Sequence, residues 1–441
     1  MKNRLVLFAI LVTQFCSTVN GFAQQNASGL PKPNDVTLYQ INIRTFSNEG
    51  NLQGILPRLD SIKNLGVNVI YLMPIYPIGK LKSVNSPYCV RDYKSVNEEF
   101  GSLQDLRALV DSIHAKQMSV ILDWVPNHTS FDHTWTKNKS WYLQDSTGKI
   151  LSPPGMGWSD VAQLNFKNVE MRKEMIASMK YWVLNANIDG FRCDYADGPP
   201  YDFWKQAVHE LRNIPNRELL LLAEGRRSDH YKAGFDYNFG FSFFENLKAV
   251  YAKGKSVKSI DSVNIADHKG ASKKQQIVRY LTNHDVNGSD GTPQELFGGD
   301  RGAMAAFVVA AYMNSVPMIY NGQEVGTPFR LVFPFTTRKI DWSLNPQLTA
   351  EYKKLLAIRN QSVALRSNKV RSYSNDDVSA FVKKKGSEEV FVLSNLRDKQ
   401  VNFDIPEKLR DSKWTNVITA EVFDIGKTLI IPSYGYLILK K

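Results

Sequence analysis

The sequence predicts a (β/α)₈ barrel that carries a short inserted segment and is followed by a small antiparallel β-sandwich domain. Three observations predict it. Between residues 36 and 320, eight apolar strand-like runs are separated mainly by amphipathic stretches of helical period. Polar and acidic residues gather at the C-terminal ends of four of those runs, the end at which such barrels carry their chemistry. From about Arg366 the helical stretches stop and short strand-like runs follow one another.

The elements follow in order. Val36 to Ile43 is the first strand, and Ile55, Leu59, Ile62 and Leu65 recur behind it at helical spacing. Val67 to Leu72 is the second strand. Leu106, Leu109, Val110 and Ile113 mark a helix that leads to the third strand, Met118 to Asp123. The helix Val169 to Leu184 precedes the fourth strand, Ile188 to Asp194. The helix Tyr201 to Leu211 precedes the fifth, Glu218 to Glu224. Phe235 to Tyr237, Ile277 to Thr282 and Val316 to Tyr320 complete the eight, the first of them the weakest signal.

Two segments break the alternation. His128 to Asn165 is rich in Trp, Pro and Gly without a long periodic run, and reads as an insertion after the third strand. Lys253 to Gln276 reads as a loop with a short helix. Its Lys253, Lys255, Lys258, Lys269, Lys273 and Lys274 form a solvated face. Past residue 366, Val378 to Val382, Val390 to Asn395 and Thr428 to Leu439 read as strands. The expected organisation is a leader over 1–23, a barrel over 24–365 with 128–165 inserted, and a β domain over 366–441.

The 441 residues carry 55 basic and 43 acidic side chains, for a net charge of +12. With 43% hydrophobic and 22% charged residues the chain is not extensively disordered. Twenty-seven glycines and three cysteines exclude collagen-like and disulfide-scaffold compositions. The basic excess raises the question of a nucleic-acid partner, but no nucleic-acid motif accompanies it. Two of the excess charges, Lys2 and Arg4, precede the apolar run Leu5 to Val12, and Gly21 and Ala23 supply small residues before Gln24. This is the pattern of a secretory signal peptide, and it implies a periplasmic or extracellular protein. A lipoprotein anchored at Cys16 is the alternative, although Phe15 is too bulky for the usual cleavage site. No later run of about 18 apolar residues offers a membrane span. Whether Cys89 and Cys193 pair is left open by their spacing.

The third strand ends in Asp123-Trp124-Val125-Pro126-Asn127-His128, the fourth in Arg192-Cys193-Asp194, the fifth in Glu224 and the seventh in Asn283-His284-Asp285. Any one of these acids alone is an ordinary helix cap or ion-pair partner. Four at one rim repel one another, which a purely structural role would avoid and a catalytic site requires. The set suits glycosidic bond cleavage, which needs one ionised carboxylate and one protonated acid. Arg192, two residues before Asp194 and on the same side of the strand, is expected to keep Asp194 ionised as a nucleophile. Glu224 follows the apolar Leu219 to Leu222, surroundings in which a general acid holds its proton. His128 and His284 can donate hydrogen bonds to sugar hydroxyls. A zinc site is the competing reading, but the spacings match no usual zinc motif.

In this order the motifs resemble the α-amylase family of glycoside hydrolases, family 13. Gln163-Leu164-Asn165 near the end of the insertion and Val316 to Glu324 at the eighth strand agree with it, and the resemblance runs from about Val36 to the C-terminus. It implies Asp194 as nucleophile, Glu224 as general acid/base and Asp285 as transition-state stabiliser, in a retaining double displacement on α-glucans or maltooligosaccharides. It implies Tyr88, Asp92, His128, Arg192 and His284 around the sugar at the scissile bond. The insertion would be the family's domain B. Asn127 and Asn165 match calcium ligands of many members. Two ligands fall short of the six to eight oxygens calcium takes, so a structural calcium is left open. The chain departs from the family after the nucleophile. Many members have Lys-His there, beside an acceptor subsite, where this chain has Tyr195-Ala196-Asp197-Gly198. The rivals are a 4-α-glucanotransferase using the same intermediate and a non-catalytic carbohydrate-binding member of the family.

Overall fold

A computed structural model describes residues 29–441. The expected signal peptide, with Cys16, lies outside the described residues. Eight parallel strands close a barrel: β1 (Leu38–Ile41), β2 (Val69–Leu72), β3 (Ser119–Trp124), β6 (Gly190–Cys193), β7 (Leu220–Ala223), β8 (Tyr237–Phe239), β9 (Gln276–Arg279) and β10 (Val316–Tyr320). β1 pairs with both β2 and β10, which closes the ring. Every residue of these strands is buried, because helices cover the outside and side chains fill the inside. Between β3 and β6 the short strands β4 (His128–Ser130) and β5 (Val161–Gln163) pair antiparallel, His128 opposite Gln163. They tie the start of the insertion to its end.

Local signals set the helices. Ser102 and Asp105 form a reciprocal capping box at the start of Leu103–Ala115. Gly66, at φ +104°, ends Leu59–Leu65. The weak strand β8 begins two residues later than the sequence suggests, and Asp236, just before it, pairs its carboxylate with Arg212. The Lys-rich segment holds the helix Lys258–Asp267, and its six lysines are exposed. Cys89 and Cys193 are buried free thiols, so the pairing left open does not form.

The C-terminal domain contains β11 (Val370–Ser372), β12 (Val378–Lys385), β13 (Glu388–Asn395), β14 (Val401–Asp404), β15 (Ser412–Asn416), β16 (Val422–Ile425), β17 (Thr428–Ile431) and β18 (Tyr436–Lys440). Six of them form one antiparallel sheet in the order β11-β12-β13-β18-β15-β16, and β14 pairs with β17 in a second. The run Thr428 to Leu439, expected as one strand, is therefore two strands in different sheets. Pro432 removes a ladder donor, and the chain turns through Tyr434 at φ +52°, closed by the Gly435 amide donating to Pro432 O at 2.9 Å. The domain docks on the barrel through the buried Lys383. Its ammonium donates to Tyr312 O at 3.0 Å and Leu365 O at 2.6 Å, meeting a carbonyl at the end of the helix Gly299–Tyr312.

One glycine decides whether the strand before Asp194 can form. Gly190 opens β6 at φ +149°, and a Cβ there would lie 1.9 Å from the backbone oxygen of Leu220 on β7. Both the angle and the clash are in backbone and cannot relax cheaply. Gly190→Ala is expected to cost about 4 kcal/mol or more, read as a lowered urea midpoint; an unchanged midpoint would contradict this packing.

Candidate active site

Asp194 and Glu224 each stand one residue beyond their strand. The Asp194 amide donates to Trp124 O at 2.8 Å and the Glu224 amide to Cys193 O at 3.0 Å, so both backbones are fixed by the neighbouring strand. Asn283 accepts the Asp285 and Val286 amides, both at 2.9 Å, and so turns Asp285 toward the barrel mouth. Asp194, Glu224 and Asp285 line one cavity of about 790 Å³ with Tyr88, His128 and His284.

Arg192 lies under this cavity with no exposed side-chain surface. One of its terminal nitrogens meets Asp123 Oδ1 at 2.6 Å and Asp194 Oδ1 at 3.0 Å. The other forms a close ion pair with Glu224, off the axis of a hydrogen bond. The expected contact between Arg192 and Asp194 is present, but one guanidinium is shared by three carboxylates. Burial pushes the Asp194 carboxyl well above the usual range. The charges of Glu224, Asp123 and Asp285 add to this against the pull of Arg192. Asp123 is raised by burial as well. Burial within the site raises Asp285 too, against the pull of Arg192, although its side chain is still 57% exposed. The arrangement gathers negative potential where positive charge can develop on a bound sugar.

Asp123 organises the floor. The hydroxyls of Tyr71 and Tyr88 donate to its Oδ2 at 2.6 and 2.9 Å. Since Tyr88 donates its proton there, it accepts from His284 Nε2 at 2.7 Å. His284 Nδ1 in turn accepts from the Gln40 amide at 2.8 Å. The relay Gln40 to His284 to Tyr88 to Asp123 fixes a neutral imidazole. Burial lowers the His284 pKa to about 4, and that of His128 likewise. The rings of Tyr88 and His284 stack at 5.3 Å. Below them Tyr76 donates to Asp123 O at 2.8 Å, and Tyr93 reaches Val125 O at 2.6 Å and His128 O at 2.9 Å. Sequence reasoning missed Gln40, Tyr71, Tyr76 and Tyr93 in these roles, and none of the usual site signals marks them.

Asp92, expected at the sugar, is elsewhere. It is absent from the cavity wall, and its carboxylate accepts the Lys94 amide and the Ser95 hydroxyl to close its own turn. The two residues that match calcium ligands both have partners within the protein. Asn127 and Gln163 exchange side-chain amide hydrogen bonds at 3.1 and 3.2 Å, while the Asn165 oxygen accepts the Lys167 amide. Among the described residues no group of three or more His, Cys, Asp or Glu side chains is gathered as a metal site. The amide pair joins the end of β3 to the insertion directly. A chelator is therefore expected to leave both activity and Tm unchanged; a Tm lowered by EDTA and restored by calcium would contradict this.

A family model for the α-amylase catalytic domain matches residues 19–150 and 155–331, and a maltogenic amylase C-terminal domain model matches 369–438. Alpha-amylase 2 of Dictyoglomus thermophilum is 28% identical over 84% of this chain and 68% of its own length. A cyclomaltodextrinase of Geobacillus thermopakistaniensis is 26% identical over 88% and 70%. The crystal structure of an alpha-amylase from Lactobacillus plantarum superposes with a TM-score of 0.80 at 26% identity, over 93% of this chain and 99% of that one.

Proposed function

The chain belongs to the α-amylase family of glycoside hydrolases, and on that premise we propose that it hydrolyses α-glucosidic bonds of maltooligosaccharides with retention, as an exported protein. The observation that carries this reading is the single guanidinium of Arg192 in contact with both Asp194 and Glu224. Two carboxylates held to one planar group favour the spacing of about 5 to 5.5 Å that retention needs over the wider spacing that admits a water.

In the first step the Asp194 carboxylate attacks the anomeric carbon as the bond to the leaving oxygen breaks, and the Glu224 proton passes to that oxygen. In the second, Glu224 takes a proton from water, the water oxygen attacks the anomeric carbon, and Asp194 leaves as carboxylate. Asp285 and the charge around Arg192 stabilise the oxocarbenium character of both transition states. Tyr88 offers its ring to the sugar at the cleaved bond, and His128 borders the same cavity. The cyclomaltodextrinase among the relatives extends the substrates worth testing to cyclic dextrins.

A product time course on maltotriose tests the reading. Glucose and maltose as the early products are expected. Chains longer than maltotriose as the main product would make the protein a transferase, and no turnover of any α-glucan would remove the reading.

A further inference from the structure

The loop after Asp194 and the loop after Glu224 are tied to each other. Tyr195 has φ +40°, a backbone conformation that a residue with a side chain disfavours. In that conformation its amide donates to Glu224 Oε2 at 2.8 Å. The Ala196 amide donates to Glu224 O at 2.8 Å, and the Gly198 amide closes the turn on Tyr195 O at 2.9 Å. Within that turn the carboxylate of Asp197 reaches across to the other loop. Its Oδ2 accepts the Arg226 amide at 2.9 Å. Its Oδ1 accepts the Arg227 amide at 3.2 Å and His230 Nε2 at 2.8 Å.

The second loop is shaped to meet this carboxylate. Gly225 directly follows Glu224, and a Cβ there would run into His230 Nε2 and lie 2.6 Å from Asp197 Oδ1. Only glycine lets the chain pass so close to the pair. Arg227 returns the contact, its Nη1 donating to Asp197 O at 3.1 Å and Pro199 O at 3.2 Å. The His230 side chain is buried beneath. Burial pushes the Asp197 carboxyl up, but the His230 and backbone donors outweigh it and hold it below the usual carboxylate range. It is therefore ionised at neutral pH, and its hydrogen bonds are of the stronger, charge-assisted kind. Asp197 lies in the segment where this chain departs from the family, so the motif match does not account for it.

Asp197, Arg227 and His230 are absent from the cavity wall, so they reach a bound sugar only through another residue. That residue is Glu224, whose carbonyl and carboxylate both belong to the array. Asp194 has an anchor of its own, its amide on Trp124 O. We infer that Asp197 is a positioning residue for Glu224, holding the loop behind the acid so that its proton meets the leaving oxygen, an inference that rests on the hydrolase reading above. A general acid works only within hydrogen-bond reach of the atom it protonates, and a misplacement of about 1 Å can cost roughly 10²-fold in rate. Release of Asp197 frees the Arg226 and Arg227 amides and lets the loop, with Glu224 at its start, drift from the nucleophile.

The test compares two donors on one enzyme sample, maltotriose and α-maltosyl fluoride. Fluoride leaves with little need of a proton, so kcat/KM on it reports the nucleophile. On maltotriose the same constant reports the nucleophile and the acid together. In Asp197→Ala the ratio of kcat/KM on maltotriose to that on the fluoride is expected to fall about tenfold or more, a share of the roughly 10²- to 10⁴-fold that a placed general acid supplies. Asp197→Asn keeps one oxygen for the amides of the facing loop, and should recover part of the ratio. Because the ratio is internal, a partly unfolded sample does not mimic the effect, and if the alanine variant does not fold, the fall in the asparagine variant decides. A parent-like ratio in the variants, even with both rates reduced, overturns the positioning role while leaving the hydrolase reading intact. A parent protein inactive on both donors overturns that reading and the positioning role with it.

Discussion

Asp194→Asn lowers kcat on maltooligosaccharides by about 10⁴-fold or more and leaves the fold intact. The amide has almost the shape of the carboxylate and keeps an oxygen for Arg192, so the packing of the barrel end survives. What is lost is the nucleophile. The stability of the same variant carries a sign that follows from the site. Burial and the neighbouring acids raise the Asp194 pKa in the folded protein. Its ionised form therefore costs stability once the pH rises through that folded value, and the cost is absent at low pH, where both states are protonated. The substituted side-chain amide cannot ionise, so at pH 7 the Tm of the variant should equal or exceed that of the parent. Circular dichroism melts and initial rates check both halves. Parent-like turnover by the variant, or a Tm several degrees lower at pH 7, would contradict the assignment.

Arg192→Met gives the second large effect. The guanidinium is the cation in contact with Asp123, Asp194 and Glu224, and it is wholly buried. Removing it leaves three carboxylates facing one another, at an expected cost of about 3–5 kcal/mol at neutral pH. The cost should shrink as the pH falls, because protonation removes the repulsion. Asp194 must be ionised to attack, and without Arg192 its pKa rises further. The acid limb of kcat/KM therefore moves to higher pH, and activity at pH 7 falls by about 10³-fold or more. Arg192→Lys restores a charge but not the planar fork, and should recover stability better than rate. An unchanged acid limb in Arg192→Met would show that the guanidinium does not govern the nucleophile.

Much of this site is legible in the order of the amino acids alone. Asp123, Arg192, Asp194, Glu224 and Asp285 each follow an apolar run, and a strand end is where a parallel barrel exposes side chains. What the sequence hides are contacts between distant segments. Tyr71 and Asp123 are 52 residues apart, and Gln40 and His284 are 244 apart, yet each pair is one hydrogen bond. Asp92 shows the opposite failure. A motif match says which residue is present but not where it points, and this carboxylate satisfies its own turn. Asn127 matches a metal ligand by motif, yet its partner is the Gln163 amide of the very motif that suggests domain B. The break in the last strand is readable, since Pro432 and Gly435 interrupt the run.

A covalent intermediate on Asp194 is open to observation in a peptide mass map of Glu224→Gln quenched during turnover of α-maltosyl fluoride. The variant lacks the base for the second step, so the first should run ahead of it and the maltosyl ester accumulate. One maltosyl group on the peptide that contains Asp194 is expected. An unmodified Asp194 peptide, together with the β-anomer as the first product, would contradict it.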